Sequence, residues 1–214
     1  MMNILWNNRY FVRSRALWVI FFLIALPITI LSAGLQGRYV VVGKVPAPHS
    51  LVNVEYAEYF NFGCTHCNDF RKLNVPLLKK YKNNLVIKNI VVVPQGLPNW
   101  PARLFYIAER HGKGEEVKNM LFDAQFEQGV SVFDPGVVSY LARSAGLAKE
   151  YEAEKDSDWV DKKLTEANVK MQSIHLQYTP TVVLEGALKV EPIKTMDEYL
   201  ANLDSLIGQL LKSR

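Results

Sequence analysis

Glu58-Tyr59-Phe60-Asn61-Phe62-Gly63-Cys64-Thr65-His66-Cys67-Asn68-Asp69-Phe70 decides how the chain folds. An apolar, aromatic run breaks at a glycine, and two cysteines follow three residues apart. The pattern predicts a strand, a tight turn and a helix that begins at Cys64. A sulfur at a helix N-terminus meets unpaired backbone N–H groups and the positive end of the macrodipole, which favour thiolate over thiol. Cys67 lies about one turn further in, close enough to form a disulfide with Cys64. Such a pair can be oxidised and reduced without rebuilding the fold, because the first sulfur is exposed and nucleophilic while the second resolves the mixed disulfide. His66, between them, can add positive charge or a hydrogen-bond donor beside the sulfur.

Two close cysteines also fit half of a zinc site, or a buried structural disulfide. The chain has only 2 cysteines, and His49, His111 and His175 show no ligand spacing, so a four-ligand site lacks ligands. A loop this short would constrain the unfolded chain little. Redox chemistry is the expected use of the pair, with neither a metal nor a cofactor.

Toward the N-terminus, Ala16 to Leu35 carries no charge and is long enough to span a bilayer. Arg9, Arg13 and Arg15 precede it, which by the positive-inside rule places residues 1–15 in the cytoplasm and everything after Gln36 outside. A cleaved signal peptide is the competing expectation, since Ser32-Ala33-Gly34 is a tolerable cleavage site and Pro27 interrupts the segment. The apolar run exceeds the usual signal core, so a retained anchor over 16–35 is preferred. Either way the domain is exported. Disulfides persist outside the cytoplasm, so a CxxC there points to making, moving or breaking disulfides in other exported proteins.

The 214 residues are 49% hydrophobic and 21% charged, ordinary for one good-sized domain. The formal net charge is +4; without the three N-terminal arginines, 22 basic residues face 21 acidic ones. Nothing in that balance asks for a nucleic acid.

Residues 36–50, with Gly37, Gly43, Pro46 and Pro48, read as a linker with one short edge strand over Tyr39–Val42. The domain proper is expected over 51–214. After the helix from Cys64, kinked at Pro76, the run Leu85–Val93 is dominated by β-branched residues and reads as a strand buried on both faces. From about 95 to 177 the sequence turns helical. Asn99 is a candidate cap, Gly112, Gly129 and Gly146 are stops, and Asp134-Pro135 is a cap followed by a first-turn proline. Val160, Leu164, Ala167, Met171 and Ile174 form one apolar stripe, read as packing. Thr181–Leu184, a turn at Glu185-Gly186 and Ala187–Val190 read as a hairpin, and Thr195–Glu198 as a capping box opening a final helix.

A strand, a CxxC at a helix start, a second strand, a helical insertion, then Tyr178-Thr179-Pro180-Thr181 leading into a hairpin and a last helix resembles the thioredoxin fold in its DsbA-like form. The resemblance covers most of residues 39 to 212. It implies an α/β thioredoxin domain with a helical insertion, and thiol–disulfide oxidoreductase activity at Cys64 and Cys67. It also implies that Pro180 is cis, beside the sulfurs, with Thr179 and its neighbours free to bond a substrate peptide as an added strand. Glu58 matches the family's buried acid near the second cysteine, a proton acceptor; the competing expectation is an exposed edge residue, since Glu in a half-buried strand can point outward. His66 matches the histidine of strong oxidants, in which the reduced thiolate is stabilised. Thr65 departs from the proline of the best-known oxidant, in a dipeptide that sets the potential and meets substrate.

The expectation that follows is a monomeric enzyme on the periplasmic face of a bacterial inner membrane. It would oxidise exported cysteine-containing proteins and be reset by a membrane partner that passes electrons to quinone. The alternatives are a reductase or isomerase using the same residues, and a copper-handling or chaperone module binding Cu(I) through Cys64, Cys67 and His66.

Overall fold

Val54–Phe60 forms strand β2, whose residues are all buried except the half-buried Glu55. A strand so thoroughly covered needs neighbours on both edges and layers on both faces, and the computed structural model, which describes residues 34–212, supplies them. In chain order the elements are β1 (Tyr39–Val41), β2, α1 (Thr65–Leu73), α2 (Val75–Lys80), β3 (Leu85–Val91) and α3 (Trp100–Arg110). There follow α4 (Gly114–Phe126), α5 (Pro135–Ser144), α6 (Ala148–Glu154) and α7 (Asp158–Ser173), then β4 (Thr181–Leu184), β5 (Leu188–Val190) and α8 (Met196–Leu210). The sheet order is β1-β5-β4-β2-β3, with β2 and β3 parallel and the other pairs antiparallel. A parallel pair requires a crossover, which α1 and α2 provide.

Alternation along β2 sorts the core. Tyr56 packs with Phe70 of α1 and with Tyr199, Leu203 and Leu206 of α8. Phe60, on the same face, packs with Cys67 and with α3 to α6. Ala57 and Tyr59, on the other face, meet Ala167 of α7 and Ile174 at its C-terminal cap. The stripe on α7 serves two cores, since Val160 and Leu164 pack into the insertion while Ala167, Met171 and Ile174 pack on the sheet.

Local signals act as the sequence predicts at several ends. Asp134 accepts from the N–H groups of Gly136 and Val137 at 2.7 and 3.3 Å, opening α5. Thr195 Oγ1 accepts from Glu198 N–H at 3.2 Å, opening α8. Glu185 and Gly186 take φ of 55° and 60°, the left-handed pair that a tight hairpin turn needs.

Three expectations are corrected. β3 is an edge strand, with Val86 and Ile87 exposed at 49% and 43%; a continuous apolar run reports β-propensity but not how many neighbours the strand will find. The helix from Cys64 does not kink at Pro76 but divides at Asn74 into α1 and α2. Pro76 has no N–H to offer the preceding turn and is disfavoured anywhere but the first turn of a helix. Asn99 precedes α3 without capping it, because its Oδ1 accepts from Arg103 Nε at 2.9 Å instead. The short helix α6 has no counterpart in the sequence reading.

The segment before β1 is tied to α8. Gln36 and Gln209 exchange hydrogen bonds at 2.7 Å, Arg38 and Asn202 do so at 3.0 and 2.9 Å, and Leu35 is buried among the α8 side chains. The rest of the apolar run, from Ala16 to Ala33, and the cytoplasmic segment expected over 1–15 lie outside the described residues. Among the described residues no helix is long and apolar enough to cross a membrane.

Candidate active site

β2 ends at Phe60, and the chain reverses through Asn61-Phe62-Gly63 before α1. Asn61 braces this turn: its Nδ2 donates to Val92 O at 2.7 Å and its Oδ1 accepts from Gly63 N–H at 2.7 Å. A Cβ at Gly63 would stand 3.1 Å from Asn61 Oδ1 and from the Phe133 ring, a contact tight enough that a neighbour would have to give by a few tenths of an ångström. Cys64 is thereby set as the N-cap of α1, in extended conformation, with its Sγ accepting from Cys67 N–H at 3.2 Å.

The two cysteines are free thiols in unlike surroundings. Cys64 is half-buried, and its pKa is drawn down to about 6. The main cause is the hydrogen bond from the Cys67 thiol; burial opposes it, while Thr179, the Cys67 N–H and the charge of His66 assist. Cys67 is 0% exposed among Phe60, Phe62 and α3 to α6. Burial pushes its thiol far up, and the hydrogen bond to Cys64 and the charge there push it further.

The Thr179–Pro180 peptide bond is cis. Cys64 Sγ donates to Thr179 O at 3.4 Å. On the far side of this loop from α7, His66, Asp69 and Leu73 of α1 face Pro180, Ile193 and Met196 across a largely apolar cavity of about 610 Å³. The structure therefore brings Cys64, Cys67, His66, Thr179 and Pro180 together. Thr65 is exposed on the first turn of α1 and lines neither this cavity nor the one on the opposite side of the loop.

Glu58 points inward, 3% exposed, on the face of β2 shared by Tyr56 and Phe60. Its Oε2 accepts from Lys118 Nζ of α4 at 3.0 Å, and Lys118 is itself buried. Lys118 also donates to Asn89 Oδ1 at 2.9 Å and lies over the Phe60 ring, 4.4 Å from its centroid. Glu58 Oε1 has no partner among the described residues. Lys118 and Asn61 are the residues sequence reasoning missed. Asn61 sat within the decisive stretch, whereas nothing around Lys118 separates it from an ordinary surface lysine. Among the described residues no group of three or more His, Cys, Asp or Glu side chains is placed to hold a metal ion.

A five-stranded mixed sheet flanked by helices, with a dithiol at a helix N-terminus facing a cis-proline loop, is a thioredoxin-like fold with a candidate redox site. The family model for the DSBA-like thioredoxin domain matches residues 98–203, which hold the cis-proline loop but not the cysteines. By sequence and by fold the chain is similar to DsbA-like thiol:disulfide oxidoreductases. The thiol:disulfide interchange protein DsbA of Burkholderia cepacia is 28% identical over 169 residues, covering 77% of this chain and 79% of that protein. The protein of the same name from Pseudomonas aeruginosa is 22% identical over 157 residues, covering 72% and 74%. The oxidoreductase DsbA from Xylella fastidiosa superposes with a TM-score of 0.69 at 21% identity, over 80% of this chain and 94% of that one.

Proposed function

We propose that the chain oxidises cysteine pairs of exported proteins by handing on its Cys64–Cys67 disulfide. A substrate thiolate attacks Cys64 Sγ, the Sγ–Sγ bond breaks, and Cys67 leaves and takes up a proton. The second substrate thiolate then attacks the substrate sulfur of the mixed disulfide and releases Cys64 as a thiolate. The substrate dithiol becomes a disulfide, and two electrons remain on the enzyme. The observation that carries this direction is the contrast between the sulfurs. Cys64 is stabilised as an anion at about 6, so the reduced enzyme is favoured and its disulfide is oxidising. A high pKa on Cys67 makes it a poor thiolate to leave free, so its departure is coupled to proton uptake; Glu58, paired with Lys118, is assigned that proton traffic.

Thr179 is assigned to hold the substrate backbone, and the 610 Å³ cavity to receive one flank of the substrate. Residues 16–35 would tether the monomeric enzyme, with the domain on the periplasmic face and a membrane partner withdrawing electrons toward quinone.

Equilibration of the full chain with glutathione tests the direction. The expected result is reduction of the disulfide already at a weakly reducing poise, toward the roughly −120 mV end of the superfamily scale. Persistence of the disulfide down to roughly −270 mV would make the chain a reductase fed with electrons across the membrane.

A further inference from the structure

Thr179 stands between two cavities. The second, of about 700 Å³, lies on the α7 side of the loop, between Val92–Gln95 after β3 and the end of α7. Tyr178 and Thr179 line both. The two cavities differ in charge. His66, Asp69, Lys72 and Lys194 line the first. The second presents Gln95, Gln172 and Gln177 among apolar side chains, with no carboxylate, lysine or arginine, and His175 as its one group able to take a positive charge.

The backbone between the cavities is open. α7 closes with Leu176 N–H donating to Met171 O at 3.0 Å and His175 in the left-handed region at φ 48°. Lys189 Nζ, buried, donates to the carbonyls of Ile174 and His175 at 3.1 and 3.3 Å. The helix ends satisfied and the chain leaves it unpaired. Among the described residues the N–H groups of Gln177, Tyr178 and Thr179 have no acceptor. A polypeptide joined to Cys64 and laid along these groups as a strand advances about 3.3 Å per residue. Its two flanks then enter opposite cavities.

We infer that the α7-side cavity is a second substrate subsite, which takes the uncharged flank of the polypeptide segment around the reactive cysteine. The inference rests on the disulfide-exchange reading and deepens it. The enzyme thus reads both sides of the target cysteine, tolerating charge on one side and selecting against it on the other.

Single-cysteine peptides carrying Ser, Lys or Glu on either flank, offered to the oxidised full chain, test it through the rate of mixed-disulfide formation. In the unaltered chain, charge on one flank slows the reaction and the same charge on the other does not. Gln172→Glu should speed the Lys peptide and slow the Glu peptide on that flank by about two- to fivefold, the range of an exposed ion pair. Gln95→Arg should do the reverse. Both variants should leave the rate with 2-mercaptoethanol unchanged. Equal rates for all flanks, or variants that alter none of them while peptides still react, would overturn the subsite. A chain that oxidises no peptide would overturn the exchange reading and the subsite with it.

Discussion

Cys64 and Cys67 are one helical turn apart, yet the regions around them are opposites. Around Cys64, hydrogen-bond donors converge on a half-exposed sulfur at the first turn of α1. Around Cys67, the aromatic core of the helical insertion closes over a sulfur with no exposure at all. The difference shows how little structure it takes to make two thiols unlike: one turn of helix running from rim to core draws the pKa of one sulfur down and pushes the other up.

Removing either sulfur breaks the contrast most severely. Cys64→Ala should abolish peptide oxidation, and its remaining Cys67 thiol should alkylate at least about a hundredfold more slowly than Cys64 does in the reduced parent. Cys67→Ala also ends oxidation but leaves a reactive Cys64. Having lost its principal hydrogen bond, Cys64 should titrate nearer the ordinary thiol value of about 8.5, as thiol absorbance against pH would show.

The buried pair beneath the site comes next. Lys118→Met strands the Glu58 carboxylate in the core and should cost about 3–5 kcal/mol in urea denaturation. Adding Glu58→Leu removes the stranded charge and should restore most of that loss. If the single variant costs under about 1 kcal/mol, the pair is not the buried contact described above.

A gentler probe is pH. With Cys64 ionising at about 6, its alkylation rate in the reduced chain should rise through that pH and level off above it. The reduction potential should fall by about 59 mV per pH unit below 6 and by about 30 mV above, because one proton fewer then accompanies the two electrons. The thiol is more acidic folded than unfolded. Its contribution to the reduced fold is therefore complete above the unfolded range near pH 8.5 and is lost as pH falls through about 6. Smallest of all is His66→Ala, since its charge is the least of the influences on Cys64. It should raise the Cys64 titration less than Cys67→Ala does, and a larger move would reverse their ranking.

Much of this was legible in the chain because it is written in local chemistry. Gly63 before Cys64, Asp134 before Pro135, Thr195 before Glu198 and the Glu185-Gly186 turn each act within a few residues, and each works where the sequence puts it. What escaped depends on distant neighbours. Leu85–Val91 looks like an interior strand because nothing in an apolar run says whether a second strand lies beyond it. Lys118 looks like a surface residue because its partner lies 60 residues earlier, on another element. Tertiary placement, rather than propensity, decides both. Glu58 was legible only halfway: its position suggested an inward acid, and its burial excludes the exposed alternative without revealing the lysine.

The stripe of α7 has a mechanical consequence. One helix packs its first half into the insertion and its second half on the sheet, then ends at the loop that carries Thr179. Neither module can loosen without pulling on the same rod, so the two should open as one cooperative unit, with amide exchange along α7 tracking the slowest-exchanging strands. The loop facing Cys64 is thereby anchored to the whole domain, and its fidelity is underwritten by every layer of the molecule at once.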